Sequence, residues 1–235
     1  MINVDPPFDL GETLKGSQTT VKEDGTTEVK LINTHWEGAI FDFPDVDRTP
    51  SIRGGKNRRS GRSIRAVCVR NNSDGALTAA SLALKFDITP SSPNAAGTMT
   101  ASVAGDDTDT AAEWHEFGRQ VIGRVDGVTN AVNLFCGIGD DQLTDTVPKH
   151  DLFWLIIGGP VLAKLANTQS VAVGVPLASA ASGYLADFAS GSDAAVAAEA
   201  VNVVGRALQP SDATNFDGSA SGAGDTILIC ACVQM

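Results

Sequence analysis

Short apolar runs and alternating apolar and polar residues recur along most of this chain, and both patterns predict β-strands. The clearest are residues 64–69 (IRAVCV) and residues 152–157 (LFWLII). Thr110 followed by Glu113 forms a capping-box pattern, so one short helix is predicted over residues 111–117. The other predicted strands are residues 26–33, 39–43, 82–88, 120–125, 131–136, 171–175, 183–188, 200–208 and 226–233, while the alanine-rich residues 193–200 suit either a strand or a helix.

Strands of this length and spacing are typical of small β-barrels and sandwiches. We therefore expect a mainly β fold with three parts. Residues 1–62 form a long extended N-terminal arm, residues 63–166 a β-rich domain with the short helix, and residues 167–235 a small β-barrel-like domain. Four prolines interrupt the arm and its apolar residues come in short pieces, so it needs a partner surface to become ordered.

Positive charge is concentrated in one short stretch of the chain. Seven of the 17 Lys and Arg residues lie between positions 48 and 65, so a net charge of −11 leaves −18 on the rest (−11 less these seven positive charges). The Gly and Ser spacers bury little, so the stretch is either a solvated loop without a role or a surface that contacts an acidic partner. We predict the second, with a partner-binding site made of Arg48, Arg53, Lys56, Arg58, Arg59, Arg62 and Arg65. A pI near 4.6 argues against direct contact with nucleic acid.

Motifs for catalysis and cofactor binding are incomplete in this sequence. Ala220 stands where a nucleophile elbow requires a serine, and residues 137–139 lead into two aspartates instead of a phosphate-binding helix. The acidic residues at 106–109 and 140–145 lack the spacing of an EF-hand. We therefore expect no catalytic residue, no metal site and no cofactor.

The cysteines and the apolar runs indicate a protein made in a reducing compartment and away from membranes. The four scattered cysteines are expected to be buried free thiols. The most apolar run, residues 152–163, is too short to cross a bilayer, and the first residues lack the pattern of a signal peptide.

Two parts of the chain resemble a known family. Residues 148–160 (PKHDLFWLIIGGP) resemble a segment of tailed-phage virion proteins. Residues 203–208 (VVGRAL), a Gly-rich loop and then residues 227–230 (ILIC) are similar to the last two strands of phage head decoration proteins, which cement capsids. The resemblance covers about residues 120–235. It implies β-barrel modules that cluster as trimers on a capsid, and it carries over no catalytic residue.

The leading hypothesis is a non-enzymatic virion structural protein that decorates and stabilises the phage capsid by bridging major capsid protein subunits. Its expected partners are the major capsid protein and neighbouring copies of itself, as a homotrimer. Its expected location is the capsid surface, after synthesis in the host cytoplasm. One alternative is another virion component, such as a tail or fibre-base protein or a host-surface binding module. A second alternative is a hydrolase that uses a metal ion held by an acidic loop.

Overall fold

The fold is mainly β, as the sequence predicts, and its strands pair almost entirely in antiparallel fashion. The computed structural model describes residues 5–47, 57–73, 75–86, 91–93, 99–101, 124–128, 135–166, 171–187, 203–208 and 226–232. The helix predicted over residues 111–117 and the stretch 193–200 lie outside the described residues.

The described residues contain fourteen strands and two short 3-10 helices. The first seven strands are β1 (Ser17–Val21), β2 (Thr27–Leu31), β3 (Ile40–Asp47), β4 (Asn57–Asn71), β5 (Ala83–Phe86), β6 (Ser91–Pro93) and β7 (Met99–Ala101). The others are β8 (Arg124–Val128), β9 (Phe135–Gly139), β10 (Leu152–Lys164), β11 (Pro176–Ser179), β12 (Leu185–Asp187), β13 (Val203–Ala207) and β14 (Thr226–Cys232). The 3-10 helices span Thr34–Trp36 and Ala181–Gly183.

Ten strands form one sheet, in the order β12-β11-β13-β14-β10-β9-β5-β8-β4-β3. An additional pairing joins β4 to β10, so β10, β9, β5, β8 and β4 close into a five-stranded barrel. Among the described strand pairs of this sheet, β4 with β8 is parallel and the rest are antiparallel. The pairs β1–β2 and β6–β7 form separate two-stranded sheets.

Strands β4 and β10 form a wall between two hydrophobic cores. Up to the irregularity at Ile156–Gly158, their odd-numbered residues face the core of the barrel, and their even-numbered residues face a second core that also takes side chains from β11 to β14. Beyond it, the odd-numbered Val161 and Ala163 of β10 face the second core. The barrel core includes Val67, Val69, Phe153, Leu155 and Ile157, and the second core includes Ala66, Cys68, Leu152, Trp154 and Ile156. Because both faces of each strand are buried, the two sequence runs are almost entirely apolar instead of alternating.

The N-terminal segment packs on the body of the same chain. Phe8 and Leu10 belong to the second core. The β1–β2 hairpin that follows exposes most of its residues, with Val21 72% exposed. The arm was expected to need a partner surface. For its first described residues, the body of the same chain provides that surface.

Most predicted strands are present with shifted ends, and one is wrong. Both apolar runs lie within longer strands, and β10 continues past Pro160. The strand predicted over residues 171–175 is wrong, because residues 172–175 form a turn in which the Val175 N–H donates to the Ala172 carbonyl at 3.3 Å. Gly174 has a φ of +85° in this turn, and the strand follows it as β11. The domain boundaries at residues 62 and 166 stay a prediction; the sheet crosses both, since β3 pairs with β4 and β10 with β14.

Candidate interaction surface

The seven basic residues of the predicted partner-binding site fall into three groups. Arg48, Arg53 and Lys56 lie outside the described residues. Arg58 and Arg59 belong to β4. Arg58 pairs with Val46 of β3, just beyond the register shift that follows Pro44. Arg62 and Arg65, also on β4, have exposed side chains. The described end of the basic stretch is therefore part of the sheet.

Arg65 is held by a neighbouring strand. It lies directly opposite Asp42 of β3, and its Nε and Nη2 donate to the two carboxylate oxygens at 3.0 and 3.2 Å. Hydrogen bonding to Asp42, and then its charge, raise the pKa of Arg65 above its ordinary value. The two side chains are 60% and 52% exposed, so the pair adds little to stability but fixes the orientation of the guanidinium.

Arg62 is joined to a strand far away in sequence. Its Nη1 lies 3.6 Å from the Sγ of Cys230 on β14. Arg206 of β13 is directly opposite Cys230, so its side chain leaves the sheet on the same face. Arg206 is exposed, and its Nη1 donates to the Gly174 carbonyl at 2.9 Å. Arg62, Arg65 and Arg206 together define what we call the cationic sheet face.

Gly158 lies in the middle of this face. Gly158 of β10 is opposite Arg65 on one side and opposite Cys232 on the other. A Cβ at this position would meet the Cβ of Arg65 at 3.6 Å, which is an ordinary contact. At this position β10 therefore adds no side chain to the face between Arg65 and Cys232.

Sequence reasoning missed Arg206. It lies 141 positions after Arg65, and strand pairing across the sheet brings it to this face. One signal was available: in residues 203–208 a single charged residue interrupts an apolar run, as expected for the outward position of a strand. This pattern predicts that Arg206 is exposed, but it does not predict which strands lie beside the strand that carries it.

A second polar group is a buried arginine at the end of β4. Arg70 is fully buried. Its Nε donates to the carboxylate of Glu37, and its Nη1 donates to the carbonyl oxygens of Gly16 and His150. Its Nη2 donates to the carbonyl oxygen of Ile32 at 2.8 Å. One guanidinium thus connects three points of the N-terminal segment to the body.

Of the two acidic loops, residues 106–109 lie outside the described residues, and in the other loop Asp140 and Asp141 hold backbone groups. The Asp140 carboxylate accepts hydrogen bonds from the backbone N–H groups of Gly11 and Gln142, the latter at 3.0 Å. The Asp141 carboxylate accepts from the backbone N–H of Leu162 at 2.9 Å. Within the described residues, no three His, Cys, Asp or Glu side chains come together as a metal ion would require. In the same part of the chain, no helix has the length and apolar character needed to cross a bilayer.

The four cysteines are free, but they are not equally buried. Cys68 and Cys136 are buried as expected. Cys230 is half-buried and Cys232 is exposed, so the expectation of burial is wrong for the latter. Both lie near the end of β14 with their side chains on the same face of the sheet.

We expect Cys68 to make the protein sensitive to alkali. Burial, and then the charge of Glu37, raise the pKa of Cys68 to about 12, from a model-peptide value of 9.0. The unfolded chain therefore loses this proton first, and stability falls as pH rises between 9 and 12. The expected loss is about 1.4 kcal/mol per pH unit, or about 2 kcal/mol at pH 10.5 relative to pH 8. Urea unfolding at both pH values measures it.

The controls for this alkaline effect are alanine variants of two cysteines. In Cys68→Ala, the free energy of unfolding should fall less steeply with pH, by the slope that one proton contributes. Cys232→Ala removes an exposed thiol and should keep the full slope. Equal slopes in the two variants would show that the Cys68 thiol is not the titrating group.

Comparison with known proteins gives little further information. No protein-family model matches the chain, and no curated protein matches it. Among solved structures, the chain is similar to the N base of head fiber gp8.5 in bacteriophage phi29, with a TM-score of 0.35 and 12% sequence identity. This match covers 73% of this chain and 99% of that chain. So weak a likeness carries no conclusion about function.

Proposed function

We propose that this chain is a non-enzymatic structural protein of a tailed-phage virion that decorates the capsid and bridges major capsid protein subunits. The observation that carries the proposal is the cationic sheet face. Three guanidinium groups from β4 and β13 lie on one face of the sheet in a protein whose net charge is −11. Such a face on an acidic protein favours contact with an acidic partner.

The chemistry of the face suits carboxylates. Guanidinium groups bind carboxylates through two parallel hydrogen bonds, and the Arg65–Asp42 pair shows this geometry within the chain itself. Arg62 and Arg206 are exposed on either side of Cys230, on rigid strands instead of loops. Rigid placement reduces the entropy lost on binding.

The strands that carry the sequence resemblance are neighbours in the sheet. Strand β10 pairs with β14 over Gly158–Lys164, and β14 pairs with β13 at Gly205–Ala207. The segment that resembles tailed-phage virion proteins and the two strands that resemble the end of decoration proteins therefore belong to one continuous three-stranded unit. Their adjacency supports the proposal, because the residues that resemble phage proteins belong to one structural unit.

The proposed partners are acidic surfaces of the major capsid protein and neighbouring copies of this chain, arranged as a homotrimer on the outside of the capsid. No contact with nucleic acid is proposed. Repeated copies on a symmetric shell would gain affinity by avidity, so each contact can be weak.

We expect the double variant Arg62→Gln/Arg206→Gln to bind phage heads at least about tenfold more weakly than the natural protein, which corresponds to about 1.4 kcal/mol. The reason is the loss of two charge-assisted contacts. Sedimentation of the purified protein with empty heads over a range of concentrations measures the change. Lys22→Gln/Lys30→Gln on the hairpin changes the net charge equally and should leave binding unchanged.

Three results would contradict the proposal. Undiminished sedimentation of the double variant would exclude the cationic sheet face as the contact. Electron microscopy that places the labelled protein on the tail or fibres would favour the alternative of another virion component. Binding of calcium or magnesium with stabilisation would favour the metal-dependent hydrolase.

A further inference from the structure

The first described residues lie on the body as a peptide lies in a binding groove. We call residues 8–16 the strap, and the groove is the surface made by Arg70, Asp140, Asp151, Leu152 and Trp154. These groove residues are 54 to 146 positions away from the strap residues that they contact. Their contacts are therefore tertiary, and none depends on local chain geometry.

The groove recognises the main chain of the strap. The Asp140 carboxylate accepts from the backbone N–H of Gly11, and the Asp151 carboxylate accepts from the backbone N–H of Gly16 at 2.9 Å. The indole N–H of Trp154 donates to the carbonyl oxygen of Phe8 at 3.1 Å.

Two further contacts complete this recognition. The guanidinium of Arg70 donates to the Gly16 carbonyl. Leu14 and Leu152 exchange both backbone hydrogen bonds, at 2.9 and 2.8 Å. The strap is thus bonded at both ends and in the middle, which is how extended peptides are bound by strand addition.

Three positions of the strap add selectivity. Phe8 stacks on Trp154 with ring centroids 4.8 Å apart, and Leu10 is 1% exposed. Gly16 must lack a side chain, because a Cβ there would collide with the carbonyl oxygen of His150 and crowd Arg70. The groove therefore selects a segment with an aromatic residue, an apolar residue two positions later, and a glycine at its end.

We propose that the groove of one copy of this chain also accepts the strap of a second copy, so that straps exchange between neighbours. The same contacts form whichever molecule supplies the strap. The strap and its hairpin join the body through residues 33–38, where Asn33 and Gly38 have φ values of 59° and 81°. This short connection contains the 3-10 helix Thr34–Trp36 but no strand, so a change in its backbone angles can redirect the strap and hairpin without breaking a strand. The inference does not depend on a role in a virion.

The first test uses a synthetic peptide of residues 5–17 and the full-length Gly16→Ala variant. The substitution displaces the variant's own strap while its groove stays intact. We expect the labelled peptide to bind this variant, measured by fluorescence anisotropy, and to raise its melting temperature. The same peptide with Gly16→Ala should bind at least about tenfold more weakly. The natural protein should bind the peptide poorly, because its own strap competes at an effective concentration of about 1 mM. A folded variant that binds both peptides equally, or neither, would overturn the proposal.

A second test of strap exchange does not need the Gly16→Ala variant, and it applies even if that variant does not fold. Leu14 and Leu152 form a hydrogen-bonded pair across the two segments, for which Cα atoms lie about 5.5 Å apart, within the range that a disulfide spans. Two full-length proteins, one Leu14→Cys and one Leu152→Cys, both with Cys230→Ser and Cys232→Ser, are mixed at about 1 mM. They are then oxidised with a low-molecular-weight disulfide.

Strap exchange predicts a disulfide-linked heterodimer in this mixture. Thr19→Cys on the exposed hairpin replaces Leu14→Cys in the control mixture, and should give little heterodimer. The double variant Leu14→Cys/Leu152→Cys in one chain should form its internal disulfide, which shows that the geometry is suitable. Heterodimer no more abundant than in the Thr19→Cys control would overturn the proposal.

Discussion

Replacing Arg70 by methionine is expected to lower the free energy of unfolding by about 3–5 kcal/mol. The guanidinium is fully buried and donates to Glu37 and to the carbonyl oxygens of Gly16, Ile32 and His150. Methionine fills a similar volume but cannot donate, so the buried Glu37 carboxylate loses its cation and the three carbonyls lose their donor. Urea denaturation at pH 7 measures the change.

The matched control is Arg206→Met on the cationic sheet face. Arg206 is exposed and is described with one hydrogen bond, to Gly174, so its loss should leave the free energy of unfolding nearly unchanged. Glu37→Gln, made in the natural protein and in the Arg70→Met variant, completes a double-mutant cycle that isolates the Arg70–Glu37 interaction. A loss below about 1 kcal/mol for Arg70→Met would show that the ionic group is not holding the N-terminal segment.

Trp154→Ala is the second large effect, and we expect it to cost about 3–5 kcal/mol. The indole is fully buried in the second core, where it stacks on Phe8 and meets the edges of Phe41 and Phe43 at centroid distances of 5.5 and 5.0 Å. Alanine leaves a cavity against three aromatic rings from the N-terminal segment and from β3. The Phe8 carbonyl also loses the indole donor. Thermal and urea unfolding give the loss, and proteolysis should cut the strap before the body.

Trp154→Phe separates the two contributions. It keeps most of the ring contacts but removes the N–H that binds the Phe8 carbonyl, so a loss of about 1–2 kcal/mol is expected. If this conservative change costs as much as Trp154→Ala, the hydrogen bond dominates and the aromatic packing has been overestimated.

The sequence predicts the strands of this protein well where burial sets the pattern. Residues 64–69 and 152–157 lie in β4 and β10, because strands that separate two cores need apolar side chains on both faces. Residues 171–175 (VAVGV) are also apolar but form a turn, since Gly174 takes a positive φ that a strand does not use. Local pattern does not distinguish the two cases, because the difference lies in what packs against each segment.

The candidate site shows the same limit. The basic stretch was visible in the sequence, but the pairing of Arg65 with Asp42 and the approach of Arg206 depend on strand order. Arg70 gave no sequence signal at all, because an arginine after an apolar run is normally a solvated strand end. Its burial follows from carbonyl groups of Gly16 and His150, which come together only in the folded chain.

The wall formed by β4 and β10 has a consequence for how this molecule loses its structure. Each strand contributes alternate side chains to both cores, so neither core can come apart without exposing the back of the other. The segments before and after the wall are thereby coupled into one cooperative, all-or-none unit of folding. Mechanical force or proteolysis that disrupts either core therefore destabilises both cores, whereas the β1–β2 hairpin can open by itself.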